Sequence, residues 1–127
     1  MLRVAPERLL RLGTQSPRAR GRAGERVAEK YLQKQGHRII SRNLFHPAAE
    51  LDLISLTPTH LVVTEVKTGL CGEAELERRF PHSARDRQRM AARALARRFQ
   101  RAPRLDLIMV RVEPDSAQIR LSHRIDV

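Results

Sequence analysis

The sequence predicts an α/β domain: a mixed central sheet with mainly antiparallel edges, flanked by helices. Three observations predict it. Apolar residues recur at helical spacing as far as Gly36 and then change period. Two strand-like runs, residues 50–56 (ELDLISL) and 61–67 (LVVTEVK), are separated only by Thr57-Pro58-Thr59-His60, which makes them an antiparallel hairpin. A second helical stripe starts at His82 and is followed by two more strand-like runs. The expected order is α-β-β-β-α-β-β.

Each element has its own signal. Ser16 is a good N-cap and Pro17 suits a first helical turn. Val27, Ala28, Tyr31 and Leu32 share one face of that helix, and Gly36 stands where a C-terminal glycine belongs. Residues 37–43, with Ile39 and Ile40, read as the first strand. Residues 68–80, with Gly69 and Gly72, read as a loop. The second helix is expected over 82–100, with Met90, Ala91, Ala94, Leu95 and Phe99 as its core stripe. Residues 104–112 (RLDLIMVRV) read as a buried strand, 113–116 as a turn and 118–125 as the last strand. Leu-Asp-Leu-Ile occurs at 51–54 and again at 105–108, but the flanks do not match.

With 127 residues the chain fits one domain, expected over 16–127. Residues 1–15 read as a basic arm, poorly ordered or a short helix. The single cysteine, Cys71, rules out an internal disulfide and a cysteine-based zinc site. The apolar runs are too short to span a bilayer, and the start lacks the continuous apolar stretch of a signal peptide. The expectation is a cytoplasmic protein with no membrane partner.

Lys and Arg number 25 against 14 acidic residues, a formal net charge of +11. Eight arginines and one aspartate fall between 84 and 104. Arginine's planar fork matches phosphate oxygens, so a polyanion is the expected partner and nucleic acid the leading one. Arg85, Arg87, Arg89, Arg93 and Arg97 are the candidate phosphate contacts; a merely solvated helix face is the plainer alternative. An arginine-rich proteome would give the same bulk charge. Aromatics make up only 3% of the chain, which argues against a platform for stacking single-stranded bases.

The informative segment runs from 50 to 67. Asp52 interrupts an apolar strand; Glu65 and Lys67 lie on the next, and strand alternation puts those two on one face. If the hairpin sets Asp52 beside Glu65, two carboxylates and an ammonium converge. Burying them is costly without compensation, and a divalent cation, Mg²⁺ or Mn²⁺, supplies it. The lysine could then orient a water attacking a phosphodiester. The competing explanation is a structural salt bridge of Lys67 with Glu65 or Asp52. The scattered histidines read as surface or loop residues. Asp106 reads as holding an arginine or capping a loop.

Asp52 followed by Glu65-Val66-Lys67 resembles the PD-(D/E)xK nuclease motif. The chain resembles, more narrowly, the YraN-like family of small proteins with a restriction-endonuclease-like fold. The matching residues are Gly21-x-x-Gly24-Glu25, Tyr31-Leu32, Gly36, Arg42-Asn43, the Glu50–Ile54 and Glu65–Lys67 runs, and Arg104–Ile108. Archaeal Holliday-junction resolvases share the helix glutamate and the Asp…Glu-x-Lys core. The resemblance implies Asp52 and Glu65 as metal ligands, Lys67 as the catalytic lysine, and Glu25 approaching the metal directly or through water. Glu50 is a weaker candidate. The chain departs from the family at Ala49 (glycine), Val63-Thr64 (Phe-Val), Gly69 (basic) and the helix lysine, near whose place stand Arg85, Asp86 and Arg87.

The function expected on these grounds is nucleic-acid binding with Mg-dependent, endonuclease-like phosphodiester hydrolysis, DNA being the first substrate to test. The alternatives are a catalytically idle DNA-binding or recombination-accessory protein and a basic protein-interaction module. A two-fold symmetric substrate would suggest a homodimer.

Overall fold

The computed structural model describes residues 2–3, 16–113 and 118–127. Strand β1 (Leu2–Arg3) is followed by α1 (Pro17–Lys34), β2 (Arg38–His46), β3 (Ala49–Leu56) and β4 (His60–Gly69). Helices α2 (Glu73–Arg78) and α3 (His82–Phe99) come next, then β5 (Ala102–Val112) and β6 (Gln118–Arg124). One sheet in the order β1-β6-β5-β4-β3-β2 holds all the strands. Every pairing is antiparallel except β4 with β5. This is the mixed sheet flanked by helices that the sequence predicts, in the same order of principal elements.

Two expectations about elements are corrected. The segment read as a loop contains the short helix α2; its six residues, Glu-Ala-Glu-Leu-Glu-Arg, all suit a helix, but the flanking glycines hid it. The short strand at Leu2–Arg3 pairs with β6, so that part of the expected N-terminal arm is extended backbone. Residues 4–15 and the turn expected at 114–116 lie outside the described residues.

The Ser16 hydroxyl caps α1, accepting from Ala19 N at 3.2 Å. Ala28 and Leu32 of α1 pack on Leu53, Val66, Ile108, Val110 and Ile119. On the other sheet face, Leu51, Ile54, Leu61, Val63, Leu105, Leu107 and Met109 meet Leu76, Phe80 and the alanines of α3. Here the stripe expected for α3 holds only in part: Ala91 is core and Leu95 packs against it, but Met90, Ala94 and Phe99 do not belong to it. Gln88, Ala91, Ala92 and Ala96 are its buried residues, whereas Met90 is 57% exposed and Phe99 37%. Both Gln88–Ala92 and Ala92–Ala96 are i, i+4 steps, so the buried stripe keeps helical period. The small side chains bring α3 near the sheet, and the turn of the helix carries Gln88 inward.

The feature that positions the site is a fork. Strand β3 pairs with β4 from Leu56↔Leu61 only as far as Leu53↔Thr64. Beyond that point β3 stays with β2, through His46↔Ala49, while β4 stays with β5, through Gly69↔Arg111. Two continuous ladders therefore separate in the middle of the sheet. Opposite the opening, Asn43 has φ 49°, a left-handed conformation that asparagine tolerates better than most residues. The β2–β3 register resumes at Leu44↔Leu51 after Arg42↔Leu53, passing over Asn43 and Asp52. Leu51 and Ile54 share a core while Leu53 belongs to the opposite one, so strict alternation breaks here. Local irregularity of this kind re-aims a side chain, and the side chain concerned is Asp52.

Candidate active site at the fork

Asp52 does what a main-chain carbonyl does elsewhere in the ladder: its Oδ2 accepts the amide of Val66 at 2.9 Å. Its carboxyl also lies within hydrogen-bonding reach of Glu65. Burial, and then the neighbouring Glu65, push the Asp52 carboxyl up to about 8. Two carboxyls in contact cannot both ionise cheaply, and Asp52 is the one that keeps its proton at neutral pH.

Glu65 is 8% exposed. Its Oε2 is 3.0 Å from Lys67 Nζ, and its Oε1 accepts from Gln88 Nε2 at 3.2 Å. The expected grouping of Asp52, Glu65 and Lys67 is thus present, with Lys67 paired to Glu65. Lys67 Nζ also stands 6.0 Å from the centre of the Phe80 ring, the outer range of a cation–π contact.

Glu25 comes from α1. Burial raises its pKa, a hydrogen bond from the Asn43 side chain opposes this, and the charges of Glu65 and Glu50 raise it further. Glu25 and Glu50 therefore share a field with Asp52 and Glu65. Glu25 is placed there by the residue before it. A Cβ on Gly24 would lie 1.8 Å from Thr68 Oγ1 and 2.8 Å from its Cβ, so only glycine lets α1 approach β4 this closely.

Among the described residues, no group of three or more His, Cys, Asp or Glu side chains is gathered closely enough to hold a metal ion as they stand. The chemistry of the pair at the mouth still fits a hard cation. Asp52 and Glu65 offer carboxyl oxygens at one point, where a cation would relieve the repulsion that helps raise the Asp52 pKa. The charge of Glu25 is close enough to act on the Asp52 carboxyl.

The arginines of α3 divide into two groups. Arg85 Nε donates to the Phe80 carbonyl at 2.8 Å and its guanidinium lies 5.3 Å from the Phe80 ring centre. Arg89 donates to Val127 O at 2.9 Å and pairs with Asp86. These two serve the chain's own structure. Arg87, Arg93 and Arg97 are exposed.

Two residues that sequence reasoning missed complete the site: Gln88 and Asn43. Gln88 was legible as a polar residue in phase with the alanines of α3. Asn43 gave no signal beyond its tolerance of left-handed backbone.

Asp106 belongs elsewhere. Fully buried, it takes Arg104 through both oxygens at 2.9 and 3.0 Å, His123 Nε2 at 2.8 Å and the Asp126 amide at 3.0 Å. His123 Nδ1 is 3.0 Å from the Tyr31 hydroxyl. Burial works against the charge, but these partners outweigh it and hold the carboxyl below the usual range. His123 is thus a structural group on a strand. His37, also buried, bonds Ser55 Oγ at 2.8 Å. His123 thus differs from the surface or loop residue the sequence suggested, whereas His37 does stand in a loop, the α1–β2 connection, but is buried there.

No helix among the described residues is long and apolar enough to cross a membrane. A model of the uncharacterised protein family UPF0102 matches residues 24–110, a span running from the glycine against Thr68 to the strand beside β4. A UPF0102 protein of Nitratidesulfovibrio vulgaris is 42% identical over 99 residues, 72% of each chain. One of Syntrophotalea carbinolica is 36% identical over 107 residues, 78% of this chain and 84% of its own. One of Porphyromonas gingivalis is 36% identical over 114 residues, 83% and 80%. The chain belongs to the uncharacterised protein family UPF0102, the family to which its YraN-like resemblance points.

Proposed function

We propose that this chain is a nucleic-acid phosphodiesterase of the endonuclease type, dependent on Mg²⁺ or Mn²⁺, with DNA as its first substrate. The observation that carries the reading is the Asp52–Glu65 carboxyl pair at the mouth of the fork, with Lys67 Nζ 3.0 Å from Glu65. Strand carboxyls under that mutual repulsion are unfavourable for stability and suit a cation.

Asp52 and Glu65 would hold the ion, with Glu25 reaching it through water. A bound divalent ion supplies Lewis-acid stabilisation of charge on a phosphoryl oxygen and a more acidic water. The chain's own residues do the rest. Gln88 fixes the orientation of Glu65. Lys67, 3.0 Å from Glu65, would supply an ammonium to orient the attacking water and meet the phosphate. The exposed Arg87, Arg93 and Arg97 add charge that draws a polyanion to the molecule.

A second reading has one observation in its favour: among the described residues no three acidic side chains are gathered as a metal cage. It is a nucleic-acid-binding protein of the same fold without hydrolysis. A cleavage assay on labelled duplex, branched and single-stranded DNA and on RNA, with Mg²⁺, Mn²⁺ or EDTA, separates the two. Metal-dependent cleavage lost in Asp52→Asn supports the phosphodiesterase. Binding of the same substrates with no cleavage under any metal supports the second reading.

A further inference from the structure

Helix α2 and strands β5 and β6 enclose a cavity of about 310 Å³, walled by Glu73, Met109, Arg111, Arg120 and Ser122 among others. Arg111 and Arg120 are direct cross-strand partners. Like charges placed directly opposite across an antiparallel pair repel and are normally avoided. Arg120 is compensated by Glu113. Arg111 Nε is buried and has no hydrogen-bond partner among the described residues. The one carboxylate in the wall, Glu73, is already engaged by Ser122 Oγ at 3.0 Å and by Arg124. Two guanidinium side chains, one of them with its Nε unpartnered among the described residues, thus stand in one cavity wall, and an oxyanion is the group that answers such a pair.

Its position says which oxyanion. Lys67 is in register with Met109, and Met109 with Ser122; one pleat further, Gly69 is in register with Arg111 and Arg111 with Arg120. Lys67 and Arg111 both continue the alternation that faces α3, so they stand on one face of the sheet, at the same end. One strand spacing and one pleat separate them by roughly 8 Å. Because the backbone winds around the axis, neighbouring phosphates of one strand lie well beyond the axial rise of about 3.4 Å, so a separation of this size matches adjacent phosphates of one strand.

We infer that the Arg111–Arg120 cavity is a phosphate subsite, holding a backbone phosphate of the same nucleic-acid strand whose reacting phosphate lies at Asp52, Glu65 and Lys67. The inference rests on the phosphodiesterase reading for its second phosphate but not for its chemistry.

The test is made in EDTA, so that it reads binding alone. Inorganic phosphate is titrated into the isotope-labelled protein while the Arg111 Nε–Hε resonance is followed, and a DNA duplex is then added as competitor. The expected result is a phosphate-dependent shift that the duplex abolishes. Arg111→Gln should lower duplex affinity about tenfold and reduce the slope of log affinity against log salt by about 0.9. Arg111→Gln should also melt no lower than wild type, because Nε gives up no partner; if it fails to fold, Arg120→Gln carries the same measurement. A phosphate shift that the duplex does not compete away overturns the inference in favour of a free-anion site. Absence of any shift, or wild-type duplex affinity in the variant, also overturns it. Competition in a protein that cleaves no substrate leaves the subsite standing and removes the phosphodiesterase. Cleavage with wild-type binding in Arg111→Gln does the reverse.

Discussion

The Asp52 carboxylate accepts the Val66 amide at 2.9 Å and so bridges the two strands at the point where their ladder ends. Asparagine at 52 keeps an oxygen for that amide and gains an N–H for Glu65. In EDTA, Asp52→Asn is therefore expected to stabilise the fold. The folded-state pKa of about 8 lies above the unfolded value of 3.8, so the unfolded state releases its proton first as pH rises. Wild-type stability falls between about pH 4 and pH 8 on this account. The variant lacks that loss, and its advantage should widen over the same window and then level off. Melting curves at pH 4, 6 and 8 check this; a variant that melts lower at every pH contradicts it. Divalent-ion binding by calorimetry should be lost.

Asp106 is expected to behave in the opposite way. Its pKa is held down by His123, Arg104 and the Asp126 amide against the effect of burial, so its contribution is present above its unfolded pKa and is lost as pH falls through the folded value. Asp106→Asn leaves Arg104 without its carboxylate and should cost about 3 kcal/mol at neutral pH. Denaturant titration measures it. Activity, where retained, should fall only as far as folded protein does.

Gly24→Ala would ordinarily strengthen a helix by about 1 kcal/mol. Here the new Cβ would meet the oxygen, Cβ and methyl of Thr68, all within 3 Å. Overpacking of this kind costs about 1–3 kcal/mol, so net destabilisation is expected. Adding Thr68→Ala removes two of the three clashing atoms and should restore part of the melting temperature. Equal melting of Gly24→Ala and wild type would mean that α1 does not seat on β4 as described.

Lys67→Ala separates binding from chemistry. Its ammonium contacts Glu65, which has Gln88 as a second partner. Mn²⁺ binding should survive the substitution, while hydrolysis of any substrate found should fall by at least about 100-fold. Single-turnover rates at saturating metal provide the measurement. Loss of metal binding together with activity would show that Lys67 holds Glu65 in place.

Periodicity carried much of the fold. The hairpin at Thr57–His60, the capped first helix and the apolar β5 all announce themselves locally. Helix α2 did not, because glycine on one side and proline on the other outweighed six helix-forming residues. The α3 stripe is legible only in part: Ala91 and Leu95 pack as their spacing predicts, but Met90 and Phe99 do not, because close packing on a sheet favours alanine over larger side chains. At the site, Asp52, Glu65 and Lys67 were legible as charges inside apolar strands. Asn43 and Gln88 act through tertiary contacts with Glu25 and Glu65, which no local pattern encodes. The repeated Leu-Asp-Leu-Ile shows the limit plainly. At 106 the aspartate meets an arginine and a histidine; at 52 it meets another carboxyl. Identical neighbours in sequence give opposite shifts.

The fork has a consequence for solubility. Parting β3 from β4 creates two inner strand edges, and an unpaired edge is a template on which another extended chain can add. Proteins blunt such edges with inward-pointing charge. Glu65 and Lys67, paired at 3.0 Å at the mouth, are charges that any intruding strand would have to bury. The residues that suit the opening to a small cation thus also keep it closed to polypeptide.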